Sequence, residues 1–243
     1  MWLFVWDSEP SKIFVGDTPI SKVFLWDTQV RPSGWKPWAN TVLYLPLNWD
    51  VKDPYNNVTY SWGAWSAMYD TWATGVQAAK FWWSNAISIW TSLDFTWGNG
   101  EITICYWFTT TAPSRDQRCS QNKSWKYFNI TGITSSKVRL YVMHTNTSTA
   151  ANITGTTTLT ANTKYLYTAT IKSSWDIKLY LNWQLENSAT IWPLKSLTSQ
   201  FGQWIGAGRE WNSEFWRWMI REFIVEDRIW TAQEIADYYT QTS

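Results

Sequence analysis

The chain has few of the residues that build most catalytic and metal sites. It carries one histidine, His144, and two cysteines, Cys105 and Cys119, in 243 residues. No second histidine is present to complete a His-metal cluster, and we interpret His144 as a solvated strand end rather than a base. Two cysteines make no disulfide framework and lack zinc-ligand spacing. Free thiols are favoured, and a Cys105–Cys119 bond stays the alternative.

The chain also lacks a charge imbalance and a long apolar run. Its net charge is +1, which gives no electrostatic basis for binding nucleic acid or an anionic membrane. No apolar run reaches membrane-spanning length, and residues 1–7 lack the basic start and long apolar stretch of a secretory signal. The sequence therefore predicts no nucleic-acid partner, no membrane insertion and no visible signal peptide, although a fragment would look the same.

Glycine is scarce, whereas tryptophan is abundant: the chain has 11 glycines and 23 tryptophans. Three copies of one ten-residue unit begin at residues 3, 13 and 23. The middle copy has Gly16 where the outer copies have Trp6 and Trp26. No shared side-chain property explains an exchange between tryptophan, which has the largest side chain, and glycine, which has none. The UGA codon, however, is read as Trp in some genetic codes and as Gly in others. We therefore hypothesise that many of these tryptophans stand at glycine codons.

The pair Asn182-Trp183 supports the same hypothesis. A two-residue type I′ hairpin there would need positive φ at both central residues, which suits glycine and penalises tryptophan. Trp107 and Trp230 are interpreted as genuine. Trp107 is predicted to lie on the inner face of a central strand, which is sandwiched between the other sheet and a covering loop. The sequence does not decide Trp2, Trp35, Trp62, Trp65 and Trp125. The alternative is a genuinely tryptophan-rich sugar-binding protein whose aromatic rings serve as platforms for pyranoses.

Three regions are predicted along the chain. Residues 1–32 contain short β decamer repeats, residues 33–40 form a linker, and residues 41–243 form one β-rich domain. One decamer cannot bury its own apolar face, so the repeats are expected to pair with each other or with partners. Self-assembly through this segment is therefore a possible role.

Strand patterns fill the predicted domain, and one helix ends it. The strand candidates are 42–47, 87–89, 101–109, 126–130, 137–143, 164–172, 176–182 and 219–225. Thr231 and Glu234 form a capping box, and Ile235, Tyr238 and Tyr239 follow as an apolar stripe that is expected to dock on the strands.

Several segments, in order, resemble one family. They are Leu43–Asp50, Asp53–Asn57, Ala78–Asn85, Ile87–Trp90, Glu101–Phe108, Lys178–Trp183, Trp204–Gly208, Phe215–Ile220 and Arg228–Ile235. Together they resemble laminin-G-like jelly rolls of the concanavalin A-like lectin/glucanase superfamily over roughly residues 41–240. The resemblance implies an all-β, antiparallel jelly-roll β-sandwich with a short C-terminal helix. The N-terminal decamers resemble repeats at the start of some phage tail and virion proteins.

A hydrolase on such a fold needs two carboxylates about 5–9.5 Å apart facing the cleft. The Glu-x-Asp-x-x-Glu motif of related glucanases is absent from this sequence. Glu222 and Glu226 are predicted to share a strand face, but four strand residues span about 13 Å. Asp227 and Arg228 are interpreted as an exposed turn. The sequence therefore predicts that the chain is not an enzyme.

Loops at one end of a jelly roll usually carry recognition. The candidate loops are Trp62–Gly75, Ala112–Lys123 and Gly208–Glu214. The candidate ligand contacts are Arg115, Asp116, Gln117, Asn122 and Arg209, with surface solubilisation as the alternative for each. Asp50 and Asp53 are candidates for a possible Ca²⁺ site, because calcium accepts carboxylate oxygens, and Asx-turn capping is the other interpretation.

Three functions remain open from the sequence. The first is a non-catalytic module that binds a glycan or surface polymer for adhesion. The second is a structural virion or appendage protein, and the third is a glycoside hydrolase. An extracellular, cell-surface or virion-associated location is expected, on fold-level resemblance alone.

Overall fold

The structure is a computed structural model, and it describes fifteen segments of the chain. These are residues 13–15, 18–20, 24–25, 28–29, 41–45, 60–62, 68–71, 77–81, 87–91, 101–123, 127–144, 149–172, 176–190, 201–205 and 218–243. Side chains are described for 101–120, 131–142, 151–172, 176–190, 205 and 219–243. Statements of absence below refer to these residues alone.

The decamer repeats form two small antiparallel pairs. β1 (Ile13–Val15) pairs with β2 (Thr18–Ile20), and β3 (Phe24–Leu25) pairs with β4 (Thr28–Gln29). In both pairs two residues, 16–17 and 26–27, separate the strands in sequence. Equivalent positions of two repeats therefore form equivalent hairpins, as a structural repeat requires.

Two larger antiparallel sheets form the remainder of the described chain. The eight-stranded sheet contains β5 (Thr41–Leu45), β7 (Met68–Thr71), β8 (Gln77–Phe81), β10 (Glu101–Phe108), β15 (Tyr165–Lys172), β16 (Asp176–Leu181), β17 (Gln184–Thr190) and β19 (Trp218–Glu226). Its order is β17-β16-β15-β10-β19-β8-β7, and β5 also pairs with β19. The seven-stranded sheet contains β6 (Tyr60–Trp62), β9 (Ile87–Thr91), β11 (Gln117–Lys123), β12 (Tyr127–Thr134), β13 (Lys137–His144), β14 (Thr149–Thr154) and β18 (Phe201–Ile205). Its order is β14-β13-β12-β11-β18-β9-β6.

The main core lies between these two sheets. On the eight-stranded sheet, Ile104, Tyr106 and Phe108 alternate along β10 and face this core, as the period of two in a strand dictates. The opposite sheet contributes Ile133, Val138, Leu140, Val142, Ala151, Ile153 and Ile205. The predicted all-β antiparallel sandwich is confirmed.

The outer face of the eight-stranded sheet is covered by α1 (Ala232–Thr242). Thr231 is the N-cap, and its capping box with Glu234 is present as predicted. Ile235 and Tyr238 are buried in a second apolar cluster with Cys105 and Trp107. The predicted docking of the helix stripe on the sandwich is therefore confirmed.

Trp107 corrects one part of the sequence prediction. It was placed on the inner face of β10, with a covering loop on the other side. The structure confirms its burial, at 1% exposure, but places it on the outer face under α1, where its Nε1 donates to Thr242 Oγ1 at 2.9 Å. Tyr106 has the inter-sheet position instead, because neighbouring residues in a strand point to opposite faces.

The predicted strands are all present, but two predicted loops contain strands. Residues 117–123 of the Ala112–Lys123 segment form β11, and residues 68–71 of the Trp62–Gly75 segment form β7. β11 reads QRCSQNK, in which Cys119 is the one apolar residue. This polar composition does not indicate a strand, and β11 is stabilised instead by pairing with β12 on one side and β18 on the other.

The hairpin between β16 and β17 also differs from the predicted type I′ geometry. Asn182 has φ 60°, while Trp183 is not among the residues with positive φ. This sign pattern is that of a type II′ turn, which needs positive φ at the first central residue alone. Trp183 is 45% exposed, and its ring lies 4.6 Å from the Tyr239 ring of α1. The turn backbone therefore does not require glycine at 183.

Gly132 shows where the fold does require glycine. It lies opposite Arg118 beside the β11 bulge, and an added Cβ would collide with the carbonyl oxygen of Gln117. The predicted domain boundaries at residues 32 and 40 fall outside the described residues and stay predictions. No helix in the described part of the chain is long and apolar enough to cross a membrane.

Candidate functional site

Three connections meet at one end of the sandwich. This end-loop cluster consists of residues 109–116, 134–136 and 155–164. Backbone hydrogen bonds tie its members together: Ser136 N donates to Pro113 O at 3.0 Å, and Leu159 N donates to Ser136 O at 2.7 Å. Asn162 N also donates to Thr110 O at 2.8 Å. These cross-ties hold the three connections in one arrangement on the strand ends.

Two of the predicted ligand contacts lie on this cluster. Arg115 and Asp116 are exposed at its tip, and Asp116 Oδ1 accepts from Thr134 Oγ1 at 2.7 Å. Gln117 is not a surface contact, because it is 2% exposed and its Nε2 donates to Ala112 O at 2.6 Å. The prediction for Gln117 is wrong, because its side-chain amide is buried and hydrogen-bonds to the backbone of the 109–116 connection.

The other predicted site residues lie outside the described residues. Asn122 belongs to β11, but its side chain is not described, and Arg209, Asp50, Asp53 and the Gly208–Glu214 loop are not described at all. Among the described residues, no group of three or more His, Cys, Asp or Glu side chains is placed to hold a metal ion. The calcium site at Asp50 and Asp53 stays a prediction.

The two glutamates of β19 share the outer face of the sheet, as predicted, and both are buried beneath α1. Glu222 Oε2 accepts from Tyr238 Oη at 2.7 Å, and Glu222 Oε1 lies 2.6 Å from Arg221 Nη2. Glu226 Oε2 accepts from Trp230 Nε1 at 2.5 Å. Glu222 has φ 52° at a break in the strand register. Both carboxylates are thus engaged in helix docking and face no cleft.

Arg228 is half-buried and ion-paired, so it is not part of an exposed turn. Its Nε lies 3.0 Å from Glu226 Oε2, and its Nη1 lies 2.6 Å from Glu234 Oε1. It therefore links β19 to the helix capping box. The prediction of an exposed turn holds for Asp227, which is exposed, and is wrong for Arg228.

Both cysteines are free and buried, as favoured from the sequence. Burial raises the pKa of the Cys105 thiol and of the Cys119 thiol well above their usual range. Because the thiolate is the reactive form, both groups are chemically quiet in the folded chain.

An open groove of about 260 Å³ lies on the outer face, beside the entry to α1. Its lining residues are Thr170, Lys172, Asp176, Lys178, Tyr180, Ile229, Trp230, Thr231 and Ala232. β15 and β16 form its floor, and the segment leading into α1 forms its wall. We call this the helix-side groove.

Simple alternation positions the floor of the groove. Along β15, Tyr167, Ala169 and Ile171 are buried in the inter-sheet core, so the residues between them face outwards. Thr170 pairs directly with Lys178 across the strands, and Thr168 pairs with Tyr180. Polar side chains from two neighbouring strands are thereby placed side by side.

Hydrogen bonds to the sheet fix the wall of the groove. Thr103 Oγ1 donates to Arg228 O at 2.7 Å and accepts from Trp230 N at 3.0 Å. A single buried hydroxyl of β10 thus anchors the chain on both sides of Ile229. Sequence reasoning missed this groove, although the alternating polar residues of β15 and β16 were visible, because nothing local indicated where the helix would lie.

The sequence of the chain matches a known family. A family model described as the concanavalin A-like lectin/glucanases superfamily matches residues 83–236. The chain belongs to this superfamily. The match covers well over half of the chain and includes β9 to β19 and the start of α1. No curated protein sequence matches the chain.

Solved structures with this concanavalin A-like fold include toxin binding domains. The chain is similar to the binding domain of Paraclostridial Mosquitocidal Protein 1, with TM-score 0.68 and 12% identity over 82% of this chain and 52% of that one. It is also similar to the receptor-binding domain of botulinum neurotoxin C/D mosaic serotype, with TM-score 0.66 and 14% identity over 84% and 51%.

A third structure with the same fold is the binding domain of botulinum neurotoxin DC in complex with rat synaptotagmin II. Its TM-score is 0.66, at 10% identity over 84% of this chain and 52% of that one. The chain spans about half the length of these three binding domains. At such low identity the likeness shows the concanavalin A-like fold.

Proposed function

We propose that the chain is a non-catalytic recognition module that binds a glycan or another surface polymer. The observation that carries this proposal is the helix-side groove, an open depression on the sheet that is lined by both charged and apolar side chains. Its floor consists of side chains on paired strands, which hold binding groups more precisely than loops do.

The arrangement of carboxylates supports binding rather than hydrolysis. A glycosidase places two carboxyl groups about 5–9.5 Å apart around the bond to be cleaved. Of the described residues that line the groove, Asp176 is the single carboxylate. Glu222 and Glu226 lie on the same face of the sheet but are engaged with Tyr238 and Trp230. One acid without a partner can accept hydrogen bonds from sugar hydroxyls but cannot complete the usual mechanism.

We place the module in an adhesion, tail or virion protein that works at a cell or particle surface. The similar toxin structures are binding and receptor-binding domains, and this supports a surface partner. The end-loop cluster, with exposed Arg115 and Asp116, is a second recognition surface on the same scaffold.

A glycan-array screen of the full chain tests the proposal. Binding to one class of glycan, without release of reducing sugar from the bound polymer, is the expected result. Release of reducing sugar would support the hydrolase instead. Absence of binding across the array would overturn the proposal.

A structural assembly role is the second candidate, and the paired decamers favour it. Among the described residues, the β1–β2 and β3–β4 pairs form separate two-stranded sheets, and such sheets are marginally stable until another surface covers them. Copies of the same segment could supply that cover. Light scattering of the full chain and of a variant lacking residues 1–38 tests this role. Oligomers formed by the full chain and lost from the folded variant would support assembly.

A further inference from the structure

We propose that the helix-side groove takes one carboxylate-bearing sugar residue, of the uronic-acid type, from a surface polymer. The inference rests on the proposed function and adds the position and charge of the ligand. Trp230, which is interpreted as genuine, is the one tryptophan among the described lining residues.

The size of the groove indicates a single sugar unit. Pockets for drug-sized ligands usually measure about 300–1,000 Å³, and this groove measures about 260 Å³. It is also open to solvent, so a polymer could continue beyond the bound unit. The site therefore suits one ring of a chain rather than an enclosed small molecule.

The charges on the floor indicate an acidic ligand. Lys172 and Lys178 contribute two ammonium groups, and Asp176 contributes one carboxylate. Lys178 is half-buried, so its charge acts in a medium that screens it less than bulk water does. A ligand carboxylate would offset the net positive charge of the described lining residues, to which Glu101 is a neighbour through its ion pair with Lys172.

Lys172 is available to a ligand although it has an ion-pair partner. Its Nζ lies 3.4 Å from Glu101 Oε1, and the two side chains are 46% and 28% exposed. Exposed pairs of this kind contribute little net stability, because solvent screens the charges and both side chains lose entropy. A better-placed carboxylate can therefore compete for the ammonium group.

The remaining lining residues suit the hydroxyls and ring of a sugar. Thr170 offers a hydroxyl and Asp176 offers acceptor oxygens, whereas the Thr231 hydroxyl is already hydrogen-bonded to Glu234. Burial raises the pKa of Tyr180, so its phenol stays protonated at neutral pH and can act as a donor. Ile229 gives the wall an apolar side chain against which ring carbons can pack.

The test is a titration of the full chain with three probes, followed by heteronuclear NMR. The probes are glucuronate, its uncharged methyl ester and glucose. Glucuronate is expected to shift the amide signals of residues 170–180 and 229–232, and to bind about tenfold or more tighter than the ester. This ratio is what one charge-assisted hydrogen bond contributes.

Variants locate the site and separate it from the proposed function. Lys178→Gln is expected to weaken glucuronate binding about tenfold, while Lys178→Arg retains most of it. Lys137→Gln, which removes a half-buried lysine from a hairpin of the opposite sheet, serves as the matched control and should change nothing.

Two results would overturn the inference. One is equal binding of glucuronate and its ester. The other is a glycan-array signal that Lys178→Gln leaves intact but Arg115→Ala abolishes, since this would place recognition on the end-loop cluster while preserving the proposed function. A blank array with no glucuronate shift would overturn both proposals together.

Discussion

Apolar side chains bury both faces of the eight-stranded sheet, but the outer face also contains two buried glutamates. On the inner face, rings stack on rings: the Tyr106 centroid lies 4.7 Å from that of Tyr167 and 5.6 Å from that of Phe223. On the outer face, two buried glutamates accept hydrogen bonds from α1 and from the segment that leads into it. Hydrocarbon burial is non-directional, whereas each hydrogen bond fixes a position. The inner face therefore provides cohesion, and the outer face fixes where the helix lies.

The largest expected effect is that of Trp107→Ala, which removes the main apolar group from the outer face. We expect it to lower the free energy of unfolding by about 3–5 kcal/mol, the usual cost of truncating a buried aromatic. The variant also loses the cation–π contact between Lys164 and the Trp107 ring, in which Lys164 Nζ lies 4.1 Å from the ring centroid. Denaturant melts of wild type and variant measure the change. A neutral result would mean that the helix does not cover this face in solution.

The second prediction concerns the directional bonds of the outer face. Glu226→Ala leaves the Trp230 indole N–H and the Arg228 guanidinium without this acceptor. We expect a loss of about 2–4 kcal/mol, somewhat below the cost of breaking a fully buried pair, because Arg228 reaches solvent. Glu226→Gln, which keeps an acceptor oxygen, is the control and should lose less. Equal losses in both variants would show that the negative charge matters more than the hydrogen bond to Trp230.

The third prediction concerns Glu186, a buried carboxylate on β17 at the edge of the eight-stranded sheet. Glu186 Oε2 accepts from Thr156 N at 2.6 Å and Thr157 N at 2.7 Å, and both threonine hydroxyls also donate to this carboxylate. Burial by itself would raise the pKa of Glu186, but these hydrogen bonds outweigh it and lower the pKa. The carboxylate therefore stabilises the fold at neutral pH. This contribution is lost as the pH falls below the ordinary glutamate pKa of about 4.3.

Thermal melts between pH 7 and pH 2 measure the Glu186 contribution. Glu186→Gln is expected to cost about 1.5–3 kcal/mol at pH 7, as for hydrogen bonds to a charged group. The difference between the variant and wild type should narrow in acid. A stability difference that stays constant with pH would show that the negative charge of Glu186 is not what stabilises the fold.

The smallest expected effect is that of Trp183→Gly, at the end of the helix-covered face. The sequence predicted that this change stabilises the hairpin, but the observed φ signs remove that reason. Loss of the Trp183–Tyr239 contact is expected to cost about 0.5–1.5 kcal/mol. Denaturant melts decide the sign, and a stabilised variant would favour a glycine codon at this position.

The glycine-codon hypothesis itself stays a prediction. Mass spectrometry of the native protein reads the residues at positions 6 and 26 directly, and glycine is expected at both. Tryptophan there would leave the alternative of a genuinely tryptophan-rich binding surface.

The sequence predicted features set by neighbouring residues far better than features set by distant ones. Alternation in Val138, Leu140 and Val142 identifies core residues of β13, and the capping box identified the start of α1. The polar strand β11 was missed, since its pairing partners rather than its own residues determine it. Thr103, which anchors the groove wall, also gave no signal, because its partners Arg228 and Trp230 are more than a hundred positions away in sequence.

That long separation has a consequence for the order of events during synthesis. Thr103 and Trp230 are 127 positions apart, and α1 ends at Thr242. A ribosome must therefore release nearly the whole sandwich before the outer side of β10 can be shielded. Until then Cys105 and Trp107 lie uncovered on a nascent sheet, the stage at which chaperones would meet this chain. Removing residues 232–242 would hold the chain at that stage.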